Sequence, residues 1–141
     1  MTPFELTKQL ISIPSVTGTE GDVGRFLSSF LEKQDYRVKT QAVGEDRFNL
    51  LAYASDDPKV VFCTHIDTVP PFIDVSEDDE ALYGRGACDT KGIFAAMFAA
   101  GERLRADGIR NFAFLLLVGE ETGGDGAKAA NGLDWSSEFV V

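Results

Sequence analysis

Histidine is almost missing from this chain of 141 residues, with His65 as its single example. A site built on several imidazoles is excluded within these residues, so any metal held here has to rely on carboxylates. Cysteine is scarce too. Cys63 and Cys88 show no C-x-x-C spacing and no disulfide framework, so reduced thiols are expected. Cys63 reads as a small buried hydrophobe and Cys88 as a packing residue rather than a thiolate ligand, because a buried thiol without a cationic neighbour stays protonated. Positive charge is in deficit: 13 Lys and Arg stand against 23 Asp and Glu, a net charge of −10. That balance disfavours phosphate backbones and anionic lipid, so neither nucleic acid nor a membrane is expected as a partner. The longest apolar runs, Ile93 to Ala100 and Phe112 to Val118, are too short to span a bilayer, and Met1-Thr2-Pro3-Phe4-Glu5 lacks a basic leader region. A soluble, cytoplasmic protein is the expectation. The G-x-S-x-G of a serine hydrolase and the Gly-Lys-Ser/Thr of a phosphate loop are absent. Gly84-Arg85-Gly86-Ala87-Cys88-Asp89 places an aspartate where a dinucleotide loop needs its third glycine, and that charge would repel a phosphate.

What is present suffices for one domain, since hydrophobic residues make up 44% of the chain. Thr2-Pro3-Phe4-Glu5 is a capping box with proline at the first helical position, and it predicts a helix to about Ser12. Thr19 with Asp22 is an acidic variant of the same signal, followed by Val23, Phe26, Leu27, Phe30 and Leu31 at the spacing of one helix face. From Tyr36 the period changes. Residues 36–43, 48–54 and 59–65 are short β-branched or aromatic runs separated by turn residues, and they predict three strands. Glu77-Asp78-Asp79-Glu80 reads as a solvated turn, because the ligand spacing and glycine of a calcium loop are missing. Residues 91–105 predict a helix apolar on nearly every side and therefore deeply packed; Phe112 to Val118 predicts a central strand covered on both faces. A short helix at 126–131 and the start of a strand at Phe139-Val140-Val141 complete an α/β layer architecture, a mixed, mostly parallel sheet flanked by helices.

Chemistry-bearing residues gather at the ends of the apolar runs: His65 and Asp67 in Thr-His-Ile-Asp-Thr-Val-Pro-Pro, Asp89 before Thr-Lys-Gly, and Glu120-Glu121 before Thr-Gly-Gly. In an open α/β sheet, ligands collect beyond the carboxyl ends of strands. Residues two apart on an extended segment share a face, so Asp67 can accept the second ring N–H of His65 and leave the other nitrogen free for a metal. Neighbours project oppositely, so Glu120 and Glu121 can divide metal binding and water activation between them. Each element alone has a plainer reading: a hydrogen-bonded structural histidine, an aspartate capping a helix, a solvated Glu-Glu loop. Together, abutting buried strands, they need a partner for their charge, which a divalent metal supplies.

In this order and context the three motifs resemble the zinc aminoacylase and carboxypeptidase family, which includes acetylornithine deacetylase, succinyl-diaminopimelate desuccinylase, carboxypeptidase G and carnosinase. The resemblance runs from the first helix to the last residue. It implies a zinc-exopeptidase-like catalytic domain with two Zn2+ ions, cobalt or manganese being alternatives. His65 would bind one zinc, Asp89 bridge both and Glu121 bind the other, while Asp67 orients His65 and Glu120 acts as general base. It also implies a cis peptide at Asp89-Thr90. In the family each zinc takes one further ligand, a carboxylate beyond the strand begun at Phe139 and a late histidine, neither of which falls within residues 1–141. The resemblance therefore implies the N-terminal portion of a truncated catalytic domain, without its lid and dimerisation domain. On its own this portion would be inactive; at full length it would be a homodimer hydrolysing an N-acyl amino acid or small peptide. The short segment between Asp67 and Asp89, lacking a tryptophan, leans toward acetylornithine deacetylases. A non-catalytic metal-binding or interaction module is the alternative.

Overall fold

The computed structural model describes residues 1–133 and 137–141. Helix α1 (Pro3–Ile11) starts on the capping box expected: the Glu5 N–H donates to Thr2 Oγ1 at 3.2 Å, and the Thr2 N–H donates to Glu5 Oε2 at 2.7 Å. Helix α2 (Gly21–Lys33) departs from expectation at its start. Its N-cap is Glu20 without a side-chain cap bond, Thr19 Oγ1 donates to the Val16 carbonyl, and Asp22 pairs with Arg25. The side chain of Glu20 turns inward instead and is fully buried.

Strands β1 (Arg37–Gly44), β2 (Arg47–Tyr53) and β3 (Val60–His65) fall where the runs predicted. A two-stranded ribbon, β4 (Ser76–Glu77) with β5 (Leu82–Tyr83), brackets the acidic run, where Asp78 Oδ1 accepts the N–H groups of Glu80 and Ala81. Helix α3 (Lys91–Ala106), β6 (Phe112–Leu117), the short α4 (Asp125–Ala130) and β7 (Phe139–Val140) follow. The main sheet runs β1-β2-β6-β3-β7. It is mixed: β1 and β2, and β2 and β6, pair antiparallel, while β3 joins both β6 and β7 in parallel. β2 and β3, successive in the chain, are separated in space by β6.

All six residues of β6 are buried, as an uninterrupted apolar run at the sheet centre requires. Phe112, Phe114 and Leu116 face the helical layer, whereas Ala113, Leu115 and Leu117 join Leu51, Tyr53 and Val61 on the opposite side. Phe114 lies 5.5 Å from Tyr36 and 5.7 Å from Phe62 and Phe112, ring centre to ring centre. Such pairs add about 0.5–1.5 kcal/mol each beyond their buried area. Gly101 of α3 makes the close approach feasible, since a Cβ there would lie 2.7 Å from Phe114 Cζ. Two expectations are corrected here. Helix α3 buries one face only, through Phe94, Ala95, Phe98 and Gly101, and leaves Ile93 45% exposed, because positions three and four apart share the covered face and the apolar residues between them do not. Cys88 is exposed rather than packed, since it lies in the loop ahead of α3 and not on a covered face. Among the described residues no helix is long and apolar enough to cross a membrane.

Candidate metal centre

The parallel pairing of β3 with β6 decides which residues meet. His65 is in register with Leu117, so the segments that follow both strands leave the same edge of the sheet side by side. One carries Asp67 and the other carries Glu120 and Glu121. The third contributor arrives with α3. Thr90 is buried at its N-terminus, and its hydroxyl donates to the His65 carbonyl at 2.6 Å, which fastens the Asp89 loop to the end of β3. The Asp89-Thr90 peptide is cis, as the family resemblance implied, and Pro70-Pro71 is cis as well.

Ligand atoms of His65, Asp89 and Glu121 all lie within 4.8 Å of one another. His65 Nδ1 is 3.0 Å from the Asp67 carbonyl and 3.3 Å from Asp67 Oδ1, so the ring proton belongs on Nδ1. The other nitrogen, Nε2, then turns a lone pair toward Asp89 Oδ1 at 3.1 Å. Two acceptors this close require a positive species between them. Ligand atoms on a tetrahedral zinc, at about 2.0–2.2 Å from the metal, are separated by roughly 3.3–3.6 Å, so this pair need open by only a few tenths of an ångström to hold one. A nitrogen and two carboxylates form a donor set suited to zinc, so the residues fit the implied ion. Burial by itself would lower the imidazole, but the hydrogen bond and charge of Asp67 outweigh it and raise His65 from 6.5 to about 9.

Asp67 is the most enclosed member, its side chain wholly buried. The sequence reading assigned its carboxylate to His65 alone; the structure gives it a second task. Thr17 Oγ1 donates to Oδ2 at 2.7 Å, the Glu120 N–H to Oδ1 at 3.0 Å and the Glu121 N–H to Oδ2 at 3.2 Å. Burial pushes this carboxyl up, yet the bonds from His65, Thr17 and the two N–H groups prevail and hold it at about 2. Its charge is thus compensated by donors from the chain itself. Asp89 and Glu120 are 68% and 54% exposed, so the argument that buried carboxylates here need a metal does not apply to them. Convergence of donor atoms carries the metal reading instead.

Glu120 and Glu121 lie in a turn beyond β6 rather than on extended backbone. Alternation along a strand therefore does not separate their roles. Glu120 Oε2 stands 3.7 Å from His65 Nε2, outside the triad of ligand atoms, and Glu121 lies within it. The sequence reading did not single out Thr17, Glu20, Arg47 or Asn49, which support this edge. Thr17 and Glu20 belong to a loop whose hydroxyls and carboxylate look like ordinary capping residues. Asn49 interrupts the apolar run of β2, the one signal available beforehand, while Arg47 stands at its first position.

Residues 61–138, more than half of the chain, match the family model described as Peptidase family M20/M25/M40. A probable carboxypeptidase of Emericella nidulans is 44% identical over 140 residues, covering 90% of this chain and 33% of its own length. The chain thus spans about a third of the curated relatives it matches. Among solved structures, a tripeptidase from Staphylococcus aureus superposes with a TM-score of 0.81 at 27% identity, over 98% of this chain and 41% of that one. A dinuclear metal binding peptidase from Bacillus subtilis shares the fold, with a TM-score of 0.61 at 15% identity over 95% of this chain and 40% of that one. From its motifs, its fold and these matches, the chain belongs to peptidase family M20/M25/M40.

Proposed function

We propose that the complete protein is a zinc-dependent hydrolase of an amide bond in a small peptide or N-acyl amino acid, and that residues 1–141 are the N-terminal portion of its catalytic domain. The observation that carries this reading is the facing of His65 Nε2 and Asp89 Oδ1 at 3.1 Å, with Glu121 in the same cluster and Glu120 beside it. His65 would hold one zinc, Asp89 would bridge to a second and Glu121 would bind that one. The dinuclear description of the Bacillus subtilis relative supports two ions. When bound, zinc supplies Lewis acidity that polarises the substrate carbonyl and brings water within reach of a carboxylate base.

The chain's own residues perform the remaining tasks. Asp67 keeps the ring proton on Nδ1 and so keeps Nε2 available. Glu120, half exposed and next to the ligand cluster, accepts the proton of the attacking water and delivers it to the leaving amine. A peptide substrate is favoured over acetylornithine, because the relatives described above are named as carboxypeptidase and tripeptidase. Among the described residues each zinc would find two protein ligands where a catalytic zinc keeps three, which supports inactivity of this portion alone.

The test uses the chain extended to the length of its relatives. Glu120→Gln should lower turnover of dipeptides and tripeptides by about 10²–10⁴-fold, and a chelator should abolish it reversibly. Undiminished turnover by Glu120→Gln would refute the assignment of the base. Turnover of N-acetylornithine with no cleavage of peptides would refute the substrate class.

A further inference from the structure

The turn that carries the two glutamates is held by side chains to an extent that their own chemistry does not require. Four successive backbone N–H groups each donate to a buried side-chain oxygen: Val118 to Asn49 Oδ1 at 3.1 Å, Gly119 to Glu20 Oε1 at 3.1 Å, Glu120 to Asp67 Oδ1 at 3.0 Å and Glu121 to Asp67 Oδ2 at 3.2 Å. The Glu20 residue is 1% exposed. Its carboxylate accepts four bonds: from Arg47 Nε at 2.8 Å, Arg47 Nη2 at 2.9 Å, the Gly18 N–H at 2.9 Å and the Gly119 N–H. The planar fork of Arg47 fixes the orientation of that carboxylate more firmly than a single ammonium could. Gly119 has a φ of +67°, and a Cβ on it would meet Arg47 Nη2 at 2.6 Å, so the guanidinium also closes the back of the turn.

We infer that Glu20, locked by Arg47, is a positioning residue for Glu120 and Glu121. It touches neither carboxylate; it fixes the backbone from which both project. This rests on the reading of Glu120 as base and Glu121 as ligand. A buried ion pair gives little net stability over an apolar pair of similar volume, so what the charges contribute here is direction. Because Gly18 and Thr17 belong to one loop, Glu20 and Asp67 are set by the same backbone and hold adjacent N–H groups of the turn in common register.

Amide hydrogen exchange on the 141-residue chain, read by NMR without metal or substrate, tests the inference. In the double variant Glu20→Met with Arg47→Met no buried charge is left unpaired, but the Gly18 and Gly119 N–H groups lose their acceptor, so the thermal midpoint should fall by several degrees and the protection of Leu115 and Leu116 should fall with it. Gly119 should exchange about tenfold faster than that common fall accounts for, with Glu120 following. Arg47→Lys keeps the charge but loses the fork, and should give a smaller rise of about threefold at the same amides. In the chain extended to its relatives' length, the double variant should lose about ten- to a hundredfold in kcat with KM changed by less than about threefold. A merely structural pair predicts that protection at Gly119 falls only as far as that of Leu115 and Leu116; that result in both variants would overturn the inference. If Gly119 loosens as expected while Glu120→Gln still turns over at the wild-type rate, the clamp stands and the assignment of Glu120 falls.

Discussion

Asp67→Asn is the sharpest probe of how this site is held, because it preserves shape and removes one acceptor. The amide oxygen can take the place of Oδ1 and keep the Glu120 N–H, at 3.0 Å, and the Nδ1 side of His65. The NH2 group then replaces Oδ2. There Thr17 can rotate its hydroxyl to accept, but the Glu121 N–H, 3.2 Å away, faces another donor. Leaving that buried N–H unsatisfied costs about 1–3 kcal/mol, and turning charge-assisted bonds into neutral ones adds roughly 1 kcal/mol more. The sum is about 2–4 kcal/mol, which for a chain of this length lowers the thermal midpoint by roughly 6–16 °C. Circular dichroism melts and urea titrations of the 141-residue chain in chelator would measure it. Thr17→Val, which deletes one donor and leaves the charge, should cost only about 1 kcal/mol. If Asp67→Asn were as stable as wild type to within about 0.5 kcal/mol, the hydrogen bonds described around Asp67 would not hold this edge of the sheet together.

Three further outcomes follow from the same packing and chemistry. Gly101→Ala should destabilise by about 1–3 kcal/mol, since its Cβ would press on Phe114 at 2.7 Å and Phe112 at 3.0 Å in a packed core, and a denaturation midpoint no lower than wild type would contradict that packing. Iodoacetamide should label exposed Cys88 well ahead of Cys63, because burial pushes the Cys63 thiol up and limits access; peptide mapping with equal labelling would refute this. Calorimetric titration of the 141-residue chain with zinc should show no binding tighter than about millimolar, with tight binding in the extended chain, since two ligands per ion fall below the usual three; tight binding by the short chain would show its site to be complete.

Local rules and motif order specify much of this protein. The Thr2/Glu5 capping box starts α1 where expected, because capping depends on residues three apart. The unbroken run at Phe112 marks the central strand, because only a strand covered on both faces tolerates it. His65, Asp67, Asp89, Glu120 and Glu121 could be nominated together because each stands at or near one end of an apolar run. The sequence could not show that β6 inserts between β2 and β3, since pairing order depends on how distant segments cover one another's apolar faces. Nor could it show that Glu20, at the cap position of α2, turns its side chain inward to grip Gly119 from 99 residues away. Its partners Arg47 and Asn49 become meaningful only once β2 lies beside β6.

What the sequence by itself determined is the set of donor groups and the type of secondary structure at whose ends they stand, for those depend on residue chemistry and short-range periodicity. What only the tertiary structure decided is their geometry. The parallel register of His65 with Leu117 brings Asp67 to the Glu120-Glu121 turn, and the bond from Thr90 to the His65 carbonyl brings Asp89 to within 3.1 Å of Nε2. The physical reason is that a binding site is a set of distances between groups far apart in the chain, and such distances are fixed by packing and by shared hydrogen bonds rather than by local order.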